Sequence, residues 1–123
     1  IMSIPSAVYT EPQIGSFGYS EERAAATGLD FGVANFPFRA VGKAVATGKA
    51  EGMVKILYEK TSRLLIGGHI AGDNAVELVH QLLVAKAAGL TIDQVGKLVF
   101  AHPSMSEGIM EAAKSASGAA IHI

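Results

Sequence analysis

The sequence contains no cysteine, and only 17% of its 123 residues are charged. Without thiols the chain by itself forms no disulfide, no cysteine-ligated zinc site and no thiol-based catalytic centre. Lysine and arginine number 10 and aspartate and glutamate 11, so a net charge of -1 excludes binding to nucleic acid or anionic membranes by charge alone. No apolar run approaches the roughly 18 residues that a membrane span requires. Because hydrophobic residues make up 50% of the chain, we predict that a partner protein covers part of its surface.

The length supports a single domain, residues 1–123, with enough chain to bury a hydrophobic core. The chain opens on Ile1-Met2-Ser3, and no basic stretch leads into an apolar one, so the start does not have the pattern of a signal peptide. Because the first residue is not an initiator methionine, we expect an excised C-terminal domain of a longer protein.

Strand patterns precede the longest helical pattern along the chain. Strands are predicted at Ala7–Tyr9, Ile14–Tyr19, Phe31–Phe38, Met53–Glu59 and Leu64–Ala71. Helices are predicted from the Ser20 cap to Gly28, over Asn74–Ala88, and after capping-box patterns that begin at Thr91 and Ser104. The segment Arg39–Gly48 has weak periodicity, and no element is assigned to it. Since strands and helices do not alternate regularly, the pattern favours an α+β fold, an antiparallel β-sheet packed against helices.

The helix predicted over Asn74–Ala88 is apolar around most of its circumference. Its polar residues fall in one narrow stripe, made of Asp73, Asn74, Glu77, His80 and Gln81. A helix this apolar on a small domain needs cover on two sides. We expect one side to pack on the domain's own sheet and another on a second subunit, which predicts a homodimer.

Neither a nucleotide motif nor a metal-ligand pattern is found. The glycines of Gly67–Gly72 have the wrong spacing for a dinucleotide fingerprint, and Gly42–Lys49 lacks the first glycine and the final hydroxyl of a P-loop. We interpret these glycines as positions of strand and turn geometry. The histidines, His69, His80, His102 and His122, are too far apart in sequence to suggest a metal site, so no metal is expected.

His102 stands out because it precedes a proline at a boundary between loop and helix, where side chains are displayed. Glu107 follows five residues later, in the predicted first turn of the next helix. A carboxylate there can select the tautomer of the imidazole and orient it, which would make His102 a general base. The alternative is that Glu107 only completes a capping box with Ser104, and that His102 is incidental. The spacing leaves both interpretations open.

A resemblance to a known family is carried by four segments, Ile4–Pro12, Glu51–Lys55, Gly67–Gly72 and Ala101–Glu107. In this order, over nearly the whole chain, they resemble the C-terminal dimerisation domain of the pyridine nucleotide-disulfide oxidoreductases. The His-Pro-x-x-x-Glu element is the specific part, and glutathione reductases share it. Looser similarity favours the dihydrolipoamide dehydrogenases, whereas mercuric reductases fit poorly. Lys43 departs from the arginine that the family often has at this position.

The resemblance implies a two-fold dimer in which His102, held by Glu107, acts across the interface as the base for a dithiol. It also implies backbone contact to the partner's FAD near His102 and Pro103. FAD, NAD and the redox-active cysteines would belong to preceding domains, and lipoyl domains of 2-oxo acid dehydrogenase complexes would be partners. The location would be the cytoplasm, or the mitochondrial matrix in a eukaryote. The alternatives are a glutathione-reductase-like disulfide reductase and a purely structural dimerisation module.

Overall fold

A computed structural model of the protein describes residues 5–9, 12–42, 46, 48, 51–98, 100–102 and 104–116. Its strands are β1 (Ser6–Val8), β2 (Ile14–Gly18), β3 (Phe31–Pro37), β4 (Met53–Glu59) and β5 (Leu65–Ala71). The helices whose complete ranges are described are α1 (Glu21–Ala26), α2 (Ala75–Ala87), α3 (Ile92–Lys97) and α4 (Glu107–Ser115). A short 3-10 turn over Phe38–Ala40 follows β3.

The strands form one antiparallel sheet in the order β1-β2-β5-β4-β3. β4 and β5 make the predicted hairpin, and the chain reverses direction between them through Arg63, whose φ is 67°. β3 lies at one edge and β1 at the other. The prediction of an α+β fold, with an antiparallel sheet packed against helices, is confirmed.

The main hydrophobic core lies between the sheet and two helices. α2 packs on β2 and β5, and α4 packs on β3 and β4. Alternate residues of the strands point into this core, among them Phe17, Phe36, Val54, Ile56 and Ile70. Gly15 allows α2 to approach closely, because a Cβ atom there would lie 2.8 Å from the carbonyl oxygen of Ala75 and 2.9 Å from Cγ1 of Val79.

Local signals set the starts of α1 and α3 and the end of α2 as predicted. The Oγ of Ser20 accepts a hydrogen bond from the Arg23 N–H at the start of α1, at 3.2 Å. At α3 the capping box is complete: the Gln94 N–H donates to Oγ1 of Thr91 at 3.1 Å, and the Thr91 N–H donates to Oε1 of Gln94 at 2.8 Å. α2 ends just before Gly89, whose φ of 73° suits the left-handed position past a helix.

α2 buries one face and exposes another. The buried face carries Ala75, Val76, Leu78, Val79, Leu82 and Ala85. Glu77, His80 and Gln81 are exposed, as the predicted polar stripe requires. Val84 lies on the same exposed side and is 66% exposed. Packing of α2 on the domain's own sheet is therefore confirmed, whereas its cover by a second subunit stays a prediction.

Two further expectations concern the segment after β3 and the possibility of a membrane span. Of the unassigned segment Arg39–Gly48, Arg39 and Ala40 lie in the 3-10 turn, whereas Lys43 falls outside the described residues. Within the described ranges, no helix is long and apolar enough to cross a membrane.

Candidate functional site

His102 lies in the loop that joins α3 to α4, and 72% of its side chain is exposed. Glu107 is the first residue of α4, and its side chain is only 10% exposed. The fold therefore displays the imidazole to solvent while it holds the carboxylate inside. Pro103, between them, is outside the described residues.

The structure brings the two predicted site residues together. Nδ1 of His102 lies 3.0 Å from Oε1 and 2.9 Å from Oε2 of Glu107. The Ser104 N–H donates to Oε1 of Glu107 at 2.9 Å. The carboxylate is also at the N-terminal end of α4, where the helix dipole favours a negative charge. Glu107 thus serves His102 and the loop backbone at once.

The capping box predicted for Ser104 and Glu107 is only half formed. Its carboxylate half is present, but the Ser104 hydroxyl does not accept from the Glu107 N–H. It donates instead to the Ala101 carbonyl at 2.6 Å, which closes the turn that carries His102. The residue that caps α4 is Ser106, and its hydroxyl makes no capping bond. The prediction of a complete box was wrong, because α4 begins two residues later than the box requires and the Glu107 N–H bonds to the backbone carbonyl of Ser104 at 3.3 Å.

The two interpretations that the spacing left open are therefore not exclusive. Glu107 accepts a hydrogen bond from the N–H of Ser104, as a capping residue does, and its carboxylate is also within hydrogen-bond distance of Nδ1 of His102. When Nδ1–H donates to the carboxylate, the proton of the neutral ring is on Nδ1, and Nε2 carries the free lone pair. This arrangement can take a proton from a group that approaches from solvent.

His69 and His80 have structural partners. Nε2 of His69 is 2.8 Å from the carbonyl of Tyr19, and Nδ1 of His80 is 2.7 Å from the carbonyl of Val76. His122 lies outside the described residues. In the part of the chain that the structure describes, no three histidine, aspartate or glutamate residues cluster as a metal site would need. That no metal binds remains a prediction.

The glycines at the start of the Gly67–Gly72 segment are positions of close approach. Gly67 and Gly68 lie in β5, and a Cβ atom on either would run into Tyr19 or the ring of Phe17. The space above these glycines is filled by the protein itself. This confirms their interpretation as positions of strand geometry and close approach, whereas the absence of a dinucleotide site stays a prediction.

A second ionic cluster was not predicted from the sequence. Nε and Nη2 of Arg63 donate to Oδ2 and Oδ1 of Asp93 at 2.9 and 2.7 Å. The guanidinium also lies 4.9 Å from the centre of the Tyr58 ring. The hydrogen bonds to Asp93 raise the pKa of Arg63 above its usual value, and the bonds from Arg63 lower the pKa of Asp93. The only sequence signals are a cation in the hairpin turn and an acid in the first turn of α3.

The family comparison matches residues 4–113 to the pyridine nucleotide-disulphide oxidoreductase dimerisation domain. The chain is 42% identical over 120 residues to a dihydrolipoyl dehydrogenase of Halobacterium salinarum, which covers 98% of this chain and 25% of the relative. It is 40% identical over 120 residues to a mitochondrial dihydrolipoyl dehydrogenase of Pisum sativum, covering 98% of this chain and 24% of the relative. The chain thus spans about a quarter of the length of these relatives.

Solved structures of larger proteins contain the same fold. LpdA from Mycobacterium tuberculosis superposes with a TM-score of 0.87 at 25% identity, over 94% of this chain and 25% of that one. The HOCl-induced flavoprotein disulfide reductase RclA of Escherichia coli superposes with a TM-score of 0.81 at 25% identity, over 86% of this chain and 24% of that one.

Proposed function

The chain belongs to the dimerisation-domain family of the pyridine nucleotide-disulphide oxidoreductases, in the form found in dihydrolipoyl dehydrogenases, and on this premise we propose that it is the interface domain of a dihydrolipoamide dehydrogenase. In this proposal the domain of residues 1–123 follows FAD and NAD domains in a longer chain, and two such chains form a homodimer. His102 of one subunit serves the dithiol site of the other, and Glu107 orients it. The domain alone is inactive.

One observation carries the proposal: His102 is bonded to a buried carboxylate through Nδ1, while its side chain is 72% exposed. His80 is also exposed and bonded through Nδ1, but its partner is a backbone carbonyl of its own helix. The partner of His102 is a carboxylate, whose negative charge can stabilise an imidazolium. Because the chain has no cysteine, the thiols on which such a base acts must come from outside it.

The chemistry assigned to this chain is the movement of a proton. Nε2 of His102 takes the proton from an S–H of the dithiol, which leaves a thiolate able to attack the disulfide of the partner subunit. Glu107 stabilises the imidazolium that results, through its contact with Nδ1. The imidazolium returns the proton to a departing thiolate or to solvent. FAD, held by the preceding domains, would accept the electron pair and deliver it to NAD.

The expected partners follow from this reaction. The dithiol would be presented by lipoyl domains of 2-oxo acid dehydrogenase complexes, in the cytoplasm or, in a eukaryote, in the mitochondrial matrix. The name of the Pisum sativum relative includes a mitochondrial form. The exposed side of α2, which includes Val84, supports the second subunit as a further partner, because a large apolar side chain there gains stability when it is covered.

The test uses the full-length flavoenzyme that carries this domain, with its two half-reactions measured separately by stopped flow. We expect His102→Gln to slow flavin reduction by dihydrolipoamide by about 10²–10⁴, the usual contribution of a general base. Flavin reduction by NADH should hardly change, because hydride transfer does not need this base.

Glu107→Gln serves as the matched variant in the same measurement. It keeps the shape of the side chain and an oxygen for the Ser104 N–H, but removes the charge that faces His102. Its loss in the dithiol half-reaction should be smaller, on the order of tenfold. A dithiol rate for His102→Gln within a factor of about three of the wild type would show that the pair is structural. If the wild-type enzyme reacted faster with reduced glutathione than with dihydrolipoamide, and His102→Gln abolished that reaction, the result would instead favour a glutathione-reductase-like enzyme.

A further inference from the structure

Gln81 on α2 contacts the loop that carries His102. Its Nε2 donates to Oγ of Ser106 at 2.9 Å, across 25 residues of sequence. Ser106 is the residue immediately before Glu107, at the start of α4. The contact therefore joins the longest described helix to the point from which the carboxylate of the site emerges.

The other side-chain hydrogen bonds described in this loop are local. Ser104 bonds to Ala101 within a span of three residues, and Glu107 bonds to Ser104 and His102 within spans of three and five. Such bonds set the internal shape of the loop but not its place relative to the sheet. Packing of the buried Met105 and Ile109 limits how deep the loop sits, but apolar contacts have little directional preference. The hydrogen bond from Gln81 to Ser106 is directional, so it can fix the orientation of the loop relative to α2.

The hydroxyl of Ser106 is used in an unusual way. A serine that caps a helix normally accepts a hydrogen bond from an N–H of the first turn. Ser106 makes no such bond, and its backbone is helical rather than extended. The hydroxyl is instead engaged by Gln81, so a local stabilising bond has been replaced by a tertiary one.

The surroundings leave room for the loop to shift if this bond is lost. Gln81 stands at a mainly apolar cavity of about 320 Å³, which Leu98, Phe100 and Ile109 also line. Leu98 is 50% exposed, and Phe100 is only partly buried. Since the segment before His102 borders space that the domain itself leaves open, packing within the domain does not by itself hold the segment in one place.

From these observations we propose that Gln81 is a positioning residue: through Ser106 it holds Glu107 and His102 at a fixed place relative to α2. The inference rests on the proposed function, because a position matters only if His102 must reach a reacting group. α2 is also the helix expected to lie against the second subunit. Gln81 thereby links the packing of the dimer to the location of the base.

The experiment is a double-mutant cycle in the full-length flavoenzyme, with Gln81→Met, Ser106→Ala and the double variant. Each single change should lower the limiting rate of flavin reduction by dihydrolipoamide about threefold to tenfold, less than the 10²-fold that a displacement of 1 Å can cause. The double variant should be no slower than either single one, because both remove the same bond. The KM for dihydrolipoamide and the rate of flavin reduction by NADH should stay within twofold of the wild type. A general loss of structure would change both.

Two further variants make the outcome decisive. Ser106→Thr keeps the hydroxyl and should restore most of the rate, whereas Glu77→Gln, on the same exposed side of α2, should have no effect. Additive losses in the cycle, or single variants within 1.5-fold of the wild type, would overturn the inference. His102→Gln, measured alongside, identifies the cause: if it also leaves the dithiol rate unchanged, the proposed function itself fails, and if it abolishes the rate, only the positioning role is wrong.

Discussion

Two ionic pairs of this domain share one plan: Arg63 faces Asp93, and His102 faces Glu107. In both pairs the carboxylate lies in the first turn of a helix, α3 for Asp93 and α4 for Glu107. In both, the partner comes from a loop. Negative charge is favoured at this end of a helix, so each helix start is a suitable place to hold a carboxylate in a fixed position.

The pairs differ in how many nitrogens of the basic side chain bond to the carboxylate. Arg63 forms two parallel bonds to Asp93 and stacks on Tyr58, and it stays charged at every physiological pH. His102 uses Nδ1 alone, and among the described residues no hydrogen bond engages Nε2. The same construction gives a clasp when the cation makes two parallel bonds, and leaves one ring nitrogen facing solvent when the partner is a histidine. In the proposed function that nitrogen is the reacting atom.

The largest effect on stability is expected when Arg63 is replaced. Arg63→Met removes both bonds to Asp93 and the contact with Tyr58, and leaves a carboxylate without its partner. The side chains of Arg63 and Asp93 are 30% and 41% exposed, so solvent screens the pair. We expect a loss of about 1–2 kcal/mol in the free energy of unfolding, measured by urea denaturation. The positive φ of residue 63 is present in both proteins and does not enter the difference.

Lys60→Met is the matched control in the same hairpin turn. Lys60 lies 3.9 Å from Asp30, with side chains 57% and 74% exposed. Its removal should change the free energy of unfolding by less than about 0.5 kcal/mol. If Arg63→Met were as mild as Lys60→Met, the clasp would not contribute to stability, and the contrast with His102 would disappear.

A smaller and pH-dependent effect is expected for Asp93→Asn. The pKa of Asp93 lies below its ordinary value of 3.8 because of the bonds from Arg63. A lowered pKa in the folded state contributes stability that is complete above the unfolded pKa and is lost as the pH falls through the folded pKa. The wild type should exceed the variant by about 1 kcal/mol at pH 7. This advantage should shrink below about pH 4, in urea unfolding curves recorded from pH 7 to pH 2.5. An advantage that grew on acidification would contradict the assignment.

The contrast between the pairs also shows what could be predicted from the sequence. The strands, the long helix and the capping box at Thr91 depend on local patterns, and they were predicted nearly at their observed bounds. The pair of His102 and Glu107 is also local, since five residues separate them. The proline and the loop-helix boundary drew attention to His102, and the resemblance to a family then implied its role. The capping box at Ser104 did not form because α4 begins at Glu107 rather than at Met105, and residue spacing alone does not fix where a helix begins.

Long-range contacts were beyond the sequence for a physical reason. Arg63 and Asp93 are 30 residues apart, and Gln81 and Ser106 are 25 apart. Each pair meets only because the sheet and helices bring two distant loops or helix faces together. Polar residues at a turn or on a helix surface are usually solvated, so nothing in the local pattern distinguishes the few that are paired.

The smallest expected effect on stability concerns His102 itself. His102→Gln removes a ring that is 72% exposed and makes its described side-chain bonds to one carboxylate. Glu107 keeps the Ser104 N–H and its place at the start of α4. We therefore expect the free energy of unfolding to change by less than about 0.5 kcal/mol, as for an ordinary surface substitution. Urea denaturation of His102→Gln beside Arg63→Met gives the measurement. A loss equal to that of Arg63→Met would mean that His102 also acts as a clasp, and the distinction between a saturated pair and a reactive one would no longer hold.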